Sequence, residues 1–334
     1  MSGDQAAEDY MADGYASDEY FSDECIADEF LTGNNAAQHP FGENVSYTLS
    51  GKTLTLSGSG YVSRYCLPEE LPFNVNDVEK LVINDGIEQL DSSLFEGYEN
   101  LREVKIAGSV KVIGNSAFAC WAGDSALEKV ELEEGVEELG SSSFRGNKAL
   151  KSIILPESLK VLGGGCFEST GLKSIEIPAG VEEIDLGVSG TPFNSCVDLT
   201  ELTVSAENKK YDSRDGCNAV IETATDTLVA ACRTTEIPES VTALGPMSYC
   251  NLFFEIWQEE GEHVFTVPGH IKKIGERAFG ANLLDRIVLE EGIEEIDDLA
   301  FWNNNITKLE IPASVRYIGG GIIDIDEDEY EGVF

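Results

Sequence analysis

Three histidines, His39, His263 and His270, are the residues whose chemistry best suits metal binding or general-base catalysis. They lack the short spacing that places two imidazoles on one metal ion, and the chain contains no H-E-x-x-H or G-x-S-x-G motif. The acidic run Asp324–Asp328 resembles the start of a calcium loop but has no glycine at the sixth place. The sequence therefore predicts a protein that is not an enzyme and has no cofactor and no dedicated metal site.

The eight cysteines are widely spaced and include no C-x-x-C pair, so neither a zinc site nor a compact disulfide scaffold is indicated. Cys217 and Cys232 flank a predicted hairpin and could pair in an oxidising compartment. Packing as small buried hydrophobic residues is the interpretation we favour for these two.

The charge of the chain excludes whole classes of partner. The chain contains 22 Lys and Arg residues and 62 Asp and Glu residues, so its formal net charge is −40. Binding to nucleic acid or to anionic lipid depends on basic side chains that neutralise phosphate, so we expect neither. No apolar run approaches the length that spans a bilayer, so no membrane insertion is expected. No signal peptide opens the chain; we expect one to have been removed from a secreted or surface protein, with a cytosolic protein as the alternative.

Three regions divide the chain. Residues 1–41 are acidic, without Lys or Arg, and are predicted to be a disordered linker. Residues 42–77 contain two stretches of alternating polar and apolar residues around Ser50–Lys52, which predict a β-hairpin cap for the region that follows. Residues 78–334 are repetitive, with insertions at about 205–235 and 250–264.

The repeat is L-x-x-I-x-I-P-x-x-V-x-x-I-G-x-x-x-F, at a period of about 22 to 27 residues. Apolar residues at positions 1, 4 and 6 predict a short strand with one buried face, and position 14 carries a glycine for a positive φ. The phenylalanines at position 18 are predicted to form an internal row. No unit can bury these residues alone, so we expect a β-rich α/β solenoid with one parallel sheet and short or irregular connections. In the first insertion, Asn218–Glu222 and Thr227–Ala231 are predicted to form a hairpin that projects from the stack.

The units resemble the BspA-like leucine-rich repeats, also described as the Treponema pallidum type, of bacterial surface proteins. The resemblance is carried by Ile311–Pro312 with Val315 and Ile318–Gly319, and by Val267–Pro268 with Ile271, Ile274–Gly275 and Ala278–Phe279. It implies a right-handed leucine-rich-repeat superhelix, secretion or surface display, and a role in adhesion or host-protein binding.

Outward strand positions 2, 3 and 5 carry basic and acidic residues in equal numbers, on a chain that is otherwise strongly acidic. We predict that this sheet face binds a protein partner, such as a host extracellular or surface protein, and that the protein itself is a monomer. The basic residues predicted to contact the partner are Lys80, Arg102, Lys105, Lys129, Lys151, Lys173, Arg286 and Lys308. A purely structural explanation is that alternating signs relieve repulsion between neighbouring strands.

The insertions are a second candidate, because projecting loops often carry specificity on repeat scaffolds. Their predicted contact residues are Tyr211, Arg214, Phe253, Phe254 and Trp257. These residues could equally fill a widened part of the stack. Stacking of sugars on Tyr211, Phe254 and Trp257 would instead make the protein a carbohydrate-binding module, which is the alternative function.

Overall fold

The structure is a computed structural model, and it describes residues 39–63, 71–122, 125–187, 189–253 and 262–321. The described residues form 22 strands and two 3-10 turns, Val75–Asp77 and Arg214–Gly216, and they contain no α-helix. The described residues form a β-solenoid of about 11 coils, where a coil is one repeat unit.

The strands are named in chain order. They are β1 (Val45–Ser50), β2 (Thr53–Gly58), β3 (Gly60–Val62), β4 (Lys80–Ile83), β5 (Ile87–Leu90), β6 (Glu103–Ile106), β7 (Val112–Ile113), β8 (Lys129–Leu132), β9 (Glu138–Leu139), β10 (Val161–Leu162), β11 (Ser174–Ile177), β12 (Glu183–Ile184), β13 (Glu201–Val204), β14 (Tyr211–Asp212), β15 (Ala219–Glu222), β16 (Thr227–Ala231), β17 (Ala243–Leu244), β18 (Val264–Val267), β19 (Lys273–Ile274), β20 (Arg286–Leu289), β21 (Glu295–Ile296) and β22 (Tyr317–Ile318).

The predicted strand of each repeat lies on one side of the solenoid, the long-strand side. Its strands pair in parallel from coil to coil, in the orders β1-β2-β4-β6-β8, β11-β13 and β18-β20, with only β1-β2 antiparallel. Between these groups, residues 150–155 and 233–238 pass without forming a strand. Side chains alternate along β4, where Leu81 and Ile83 are buried and Lys80 and Val82 are half-buried. The sheet is therefore present but is divided into three groups.

A second row of strands was not predicted, and its pairs are parallel except for β14-β15 and β15-β16. It lies on the short-strand side, in the orders β3-β5-β7-β9-β10-β12 and β14-β15-β16-β17-β19-β21-β22. The expectation of one parallel sheet was wrong, because the repeat segment V-x-x-I has no period of two and its strands are mostly two residues long. These strands form because stacking places the same backbone groups of successive coils opposite one another, as in the pairing of Val161 with Glu138 and Glu183.

The third side of the solenoid, the turn side, also has hydrogen bonds between coils. The amide of Phe95 donates to Ala117 O and that of Phe118 donates to Ser143 O, each at an N···O distance of 2.8 Å. Each such coil carries a positive φ at repeat position 16, for example Ser116 at 55° and Ser142 at 57°. The predicted positive φ at the position-14 glycine was wrong.

Close approach of neighbouring coils explains that glycine instead. A Cβ on Gly163 would lie 2.4 Å from Ser141 N, and one on Gly114 would lie 2.7 Å from Leu90 O. In proteins, Cβ atoms do not approach other backbone atoms this closely, so a side chain at either glycine would force the coils apart.

The predicted phenylalanine row is confirmed in two segments. Rings stack from Phe95 to Phe118 at 5.0 Å, from Phe118 to Phe144 at 5.2 Å and from Phe144 to Phe167 at 5.9 Å between centroids. Phe193 continues the first segment. The second segment runs Tyr249, Phe279, Phe301. The buried core divides at the same place, into two clusters that meet around the 219–232 hairpin.

The hairpin of β15 and β16 forms as predicted but does not project. β16 pairs in parallel with β17, with Leu228 opposite Leu244, and Val220 and Ile221 are fully buried. This coil lacks the V-x-x-I segment, so the hairpin takes its place inside the short-strand sheet.

At the start of the repeats, the hairpin of β1 and β2 joins the long-strand sheet through the parallel pairing of β2 with β4. Of the predicted acidic linker, residues 1–38 lie outside the described residues. Phe41 is fully buried and contacts the rings of Tyr47 and Phe95.

Candidate interaction surfaces

The basic residues predicted to bind a partner on the long-strand side are matched by acids on neighbouring strands. Lys80 Nζ lies 3.0 Å from Glu103 Oε2, and Lys129 Nζ lies 3.2 Å from Glu103 Oε1. Hydrogen bonding to Lys80, more than to Lys129, lowers the pKa of Glu103. Lys105 and Glu133 are 2.9 Å apart. These charges form a cross-strand ladder, as the structural explanation of the alternating signs requires.

The remaining predicted residues follow the ladder less regularly. Arg102 pairs with Glu128, Arg286 with Glu262, Lys308 with Glu310, and Lys151 with Asp198 at 3.5 Å. Lys173 forms no ion pair with any residue in the described ranges. The pairs are solvent-exposed and screened by water, so each contributes little to stability and can exchange one partner for another at little cost.

Ile154 is the large apolar residue that stands out on this side. Its exposed fraction is 87%, whereas the outward-facing Val82 and Val288 are half-buried. It lies in residues 150–155, which form no strand on this side, between Glu131 and Glu176 at the same repeat position of the adjacent coils. Over residues 78–177, the long-strand side therefore combines paired charges of both signs with one exposed aliphatic side chain.

The first insertion does not form the exposed patch that the sequence suggested. Tyr211 is only 4% exposed. Its hydroxyl accepts a hydrogen bond from Ile184 N at a distance of 3.2 Å, and this bond crosses the break between the two short-strand sheets. Arg214 makes a bidentate contact with Asp212 and a third contact with Asp226. Hydrogen bonding to Arg214 lowers the pKa of Asp212. Both predicted contact residues hold the inserted coil in place.

In the second insertion, Phe253 is buried beside Tyr249 and Phe265, so it cannot form part of an exposed patch. Phe254 and Trp257 lie outside the described residues.

Asparagines three residues after the core ring are a feature that sequence reasoning missed. Asn282 is fully buried, and its side-chain Nδ2 donates a hydrogen bond to Tyr249 O. Its side-chain Oδ1 accepts hydrogen bonds from Leu252 N and Phe253 N at distances of 2.8 and 2.9 Å. Asn147 and Asn304 make similar contacts to backbone carbonyls of their own and the preceding coil. The F-x-x-N spacing in three units was the available signal.

Asn282→Ala is expected to lower the free energy of unfolding by about 1–3 kcal/mol, because it leaves buried backbone groups without partners. Urea denaturation followed by circular dichroism measures the loss. Asn84→Ala is the matched control, since Asn84 is exposed and makes one side-chain bond to Ser57. Equal stabilities for the two variants would contradict a structural role for Asn282.

A second missed feature lies on the turn side, where three successive coils contribute Trp121, Arg145 and Glu168. Trp121 is 56% exposed, and the guanidinium of Arg145 lies 4.5 Å from the centroid of its ring. Arg145 Nη2 lies 3.1 Å from Glu168 Oε1, and the Glu168 side chain is 10% exposed. Burial raises the pKa of Glu168 to about 7, despite the opposing effect of Arg145.

The cysteines for which the structure gives positions are unpaired thiols. These include Cys217 and Cys232, whose thiols donate to the carbonyls of Ala219 and Asn218. Burial raises the pKa of Cys196 to about 11 and that of Cys250 to about 12. The packed-thiol interpretation fits this arrangement.

His263 and His270 each lie beside a carboxylate. His263 Nδ1 lies 3.2 Å from Asp285, and His270 Nδ1 lies 3.5 Å from the exposed Glu239. No group of three metal-ligating side chains occurs among the described residues. The described part of the chain also contains no helix with the length and hydrophobicity to cross a membrane.

This architecture also occurs in solved structures. A leucine-rich repeat protein from Eubacterium ventriosum superposes with a TM-score of 0.62 at 16% identity, covering 87% of this chain and 97% of its own. A leucine-rich cell surface protein from Faecalibacterium prausnitzii superposes with a TM-score of 0.50 at 18% identity, covering 82% of each chain. At such identities the likeness shows the fold alone. No curated protein sequence matches the chain.

The family comparison covers more than half of the chain. Six copies of the BspA type leucine rich repeat region match residues 70–200 and 258–323. The unmatched stretch between them contains the hairpin coil of β15 and β16. The repeats, their stacking and this match agree, and the chain belongs to the BspA type leucine-rich repeat family.

Proposed function

We propose that this protein is a non-enzymatic surface or secreted repeat protein of a bacterium, which binds a protein partner through the long-strand side of coils 78–177. Leucine-rich repeat solenoids are typically scaffolds for protein interaction and not enzymes. The display at a cell surface is supported by the family and by the surface protein of similar fold. The partner we propose is a host extracellular or surface protein, bound by one copy of the chain.

One observation carries the proposal. On a chain with a net charge of −40, this side bears exposed basic residues in a ladder with acids, together with an exposed isoleucine. A partner with complementary charges can replace the weak exposed ion pairs of the ladder, while the acidic remainder repels unrelated anionic surfaces. Ile154 supplies the apolar contact that interface centres need.

The test is a charge reversal with a control of equal charge. The variant Arg102→Glu, Lys105→Glu, Lys129→Glu, Lys151→Glu alters the long-strand side, and Lys111→Glu, Lys160→Glu, Lys272→Glu, Lys273→Glu alters the short-strand side by the same net charge. Against a panel of host extracellular and surface proteins, we expect the first variant to lose about 10- to 100-fold in affinity for the partner of the wild type. The control variant should bind within about threefold of the wild type.

Equal losses in the two variants would show that net charge, and not this face, determines binding. A glycan array run with the same proteins tests the carbohydrate alternative. That alternative has lost Tyr211 as a stacking platform, because the ring is buried.

A further inference from the structure

The turn side carries a Trp–Arg pair that the proposed function does not use. Trp121 is the most exposed aromatic side chain among the described residues, and Arg145 lies over one face of its ring. The stacking fixes the plane of the guanidinium and so reduces the entropy that a ligand must overcome. Tryptophan and arginine are also the residue types most enriched among those that dominate binding energy at protein interfaces.

Arg145 has donors to spare. A guanidinium offers five N–H groups, and the ion pair with Glu168 Oε1 is the one polar side-chain contact of Arg145 within the described ranges. Its side chain is 30% exposed, so the remaining donors can be reached from solvent. Their planar arrangement matches the two oxygens of a carboxylate.

The surroundings of Glu168 stabilise its ionised carboxylate poorly. One carboxylate oxygen faces Arg145, but Oε2 is buried without a hydrogen-bond partner. A Cβ on Gly165 would lie 3.0 Å from this oxygen, so the oxygen lies over the glycine. Ionised Glu168 is therefore a costly partner for Arg145.

Few other titratable groups act on this carboxyl. Arg145 lies on the preceding coil, and Cys196 and Cys250 lie on later ones. Burial raises the pKa of both thiols to about 11 and about 12, so they stay neutral near pH 7. Glu168 is thus the one member of this group that changes charge around neutrality.

We propose that Trp121 and Arg145 form a docking site for a carboxylate-bearing segment of a partner protein, and that Glu168 competes with that carboxylate for the guanidinium. An apolar side chain of the partner, next to its carboxylate, packs on the exposed part of the indole. When Glu168 is neutral, the guanidinium has no internal counter-ion and binds the partner's carboxylate more tightly. The site is separate from the long-strand side, so it can be tested on its own.

The experiment uses the whole chain and two peptides, N-acetyl-Leu-Glu-Leu-amide and its Gln counterpart, with the indole N–H signal of Trp121 followed by NMR. We expect the Glu peptide to bind the wild type about fivefold more tightly at about pH 5.5 than at about pH 8. Glu168→Gln is expected to bind at about pH 8 as tightly as the wild type does at about pH 5.5. Arg145→Gln should abolish the preference for the Glu peptide over the Gln peptide.

Trp302→Phe is the control, since Trp302 forms a further Trp–Arg pair, with Arg277, and should not alter these affinities. Equal affinity for the two peptides would overturn the proposal, and so would wild-type affinity that does not change with pH. The wild-type titration alone decides the matter if Glu168→Gln fails to fold. The variant with a reversed long-strand side should bind the Glu peptide normally, which separates this inference from the proposed function.

Discussion

Replacing Phe144 with alanine is expected to lower the free energy of unfolding by about 3–5 kcal/mol, because the ring lies in the middle of the longer aromatic row. Its exposed fraction is zero, and it stacks on Phe118 at an interplanar angle of 3° and on Phe167 at 11°. The change removes the apolar area of one ring, two ring contacts of about 0.5–1.5 kcal/mol each, and leaves a cavity that rigid coils cannot close. Urea denaturation followed by circular dichroism gives the difference from the wild type.

Ile154→Ala is the control for this experiment. Ile154 is a large apolar residue of the neighbouring coil but is almost entirely exposed, so its loss should change stability by less than about 0.5 kcal/mol. If Phe144→Ala cost no more than Ile154→Ala, the internal row would not be a main source of stability.

The aromatic row was predictable because its signal is local. A phenylalanine at one repeat position must face the same direction in each coil, and burial follows from the spacing alone. Phe193 and Tyr249 belong to the row as well, but the insertions around them obscure the repeat, so neither was assigned to it. Sequence reasoning thus failed where the period changes.

The short strands depended on information that no single repeat contains. Val161–Leu162 has no strand-like alternation, and it becomes a strand because the neighbouring coils place Glu138–Leu139 and Glu183–Ile184 beside it. The hairpin of β15 and β16 could be predicted from the sequence. Its place inside the sheet was not, since that depends on the missing segment of its own coil.

The candidate sites divide in the same way. The side on which Lys80, Lys105 and Lys129 lie follows from strand alternation, and their pairing follows from opposite charges on adjacent coils. The burial of Tyr211 depends on its contact with Ile184, across a break between sheets that the sequence does not indicate. The site of Trp121 and Arg145 combines residues from separate coils, so it could not be assembled before the stacking was known.

Glu168→Gln is expected to stabilise the protein by about 3 kcal/mol above pH 7, and to have little effect below the ordinary pKa of a glutamate. Burial raises the pKa of this carboxyl from 4.5 to about 7, so between these values the folded state binds more protons than the unfolded state. Stability from this group is therefore complete below about pH 4.5 and falls as the pH rises through about 7. Glutamine has a similar shape and no charge to desolvate, so the variant avoids the loss.

Urea denaturation of both proteins at several values between about pH 5 and about pH 8 measures the effect as a difference, which cancels the repulsion of the other carboxylates. Glu88→Gln removes the same charge from an exposed position and controls for net charge. A difference between Glu168→Gln and the wild type that stays constant across this range would show that the buried carboxyl keeps an ordinary pKa. The competition with a partner's carboxylate at Arg145 would then have no basis, because Glu168 would remain ionised at every pH where the site could act.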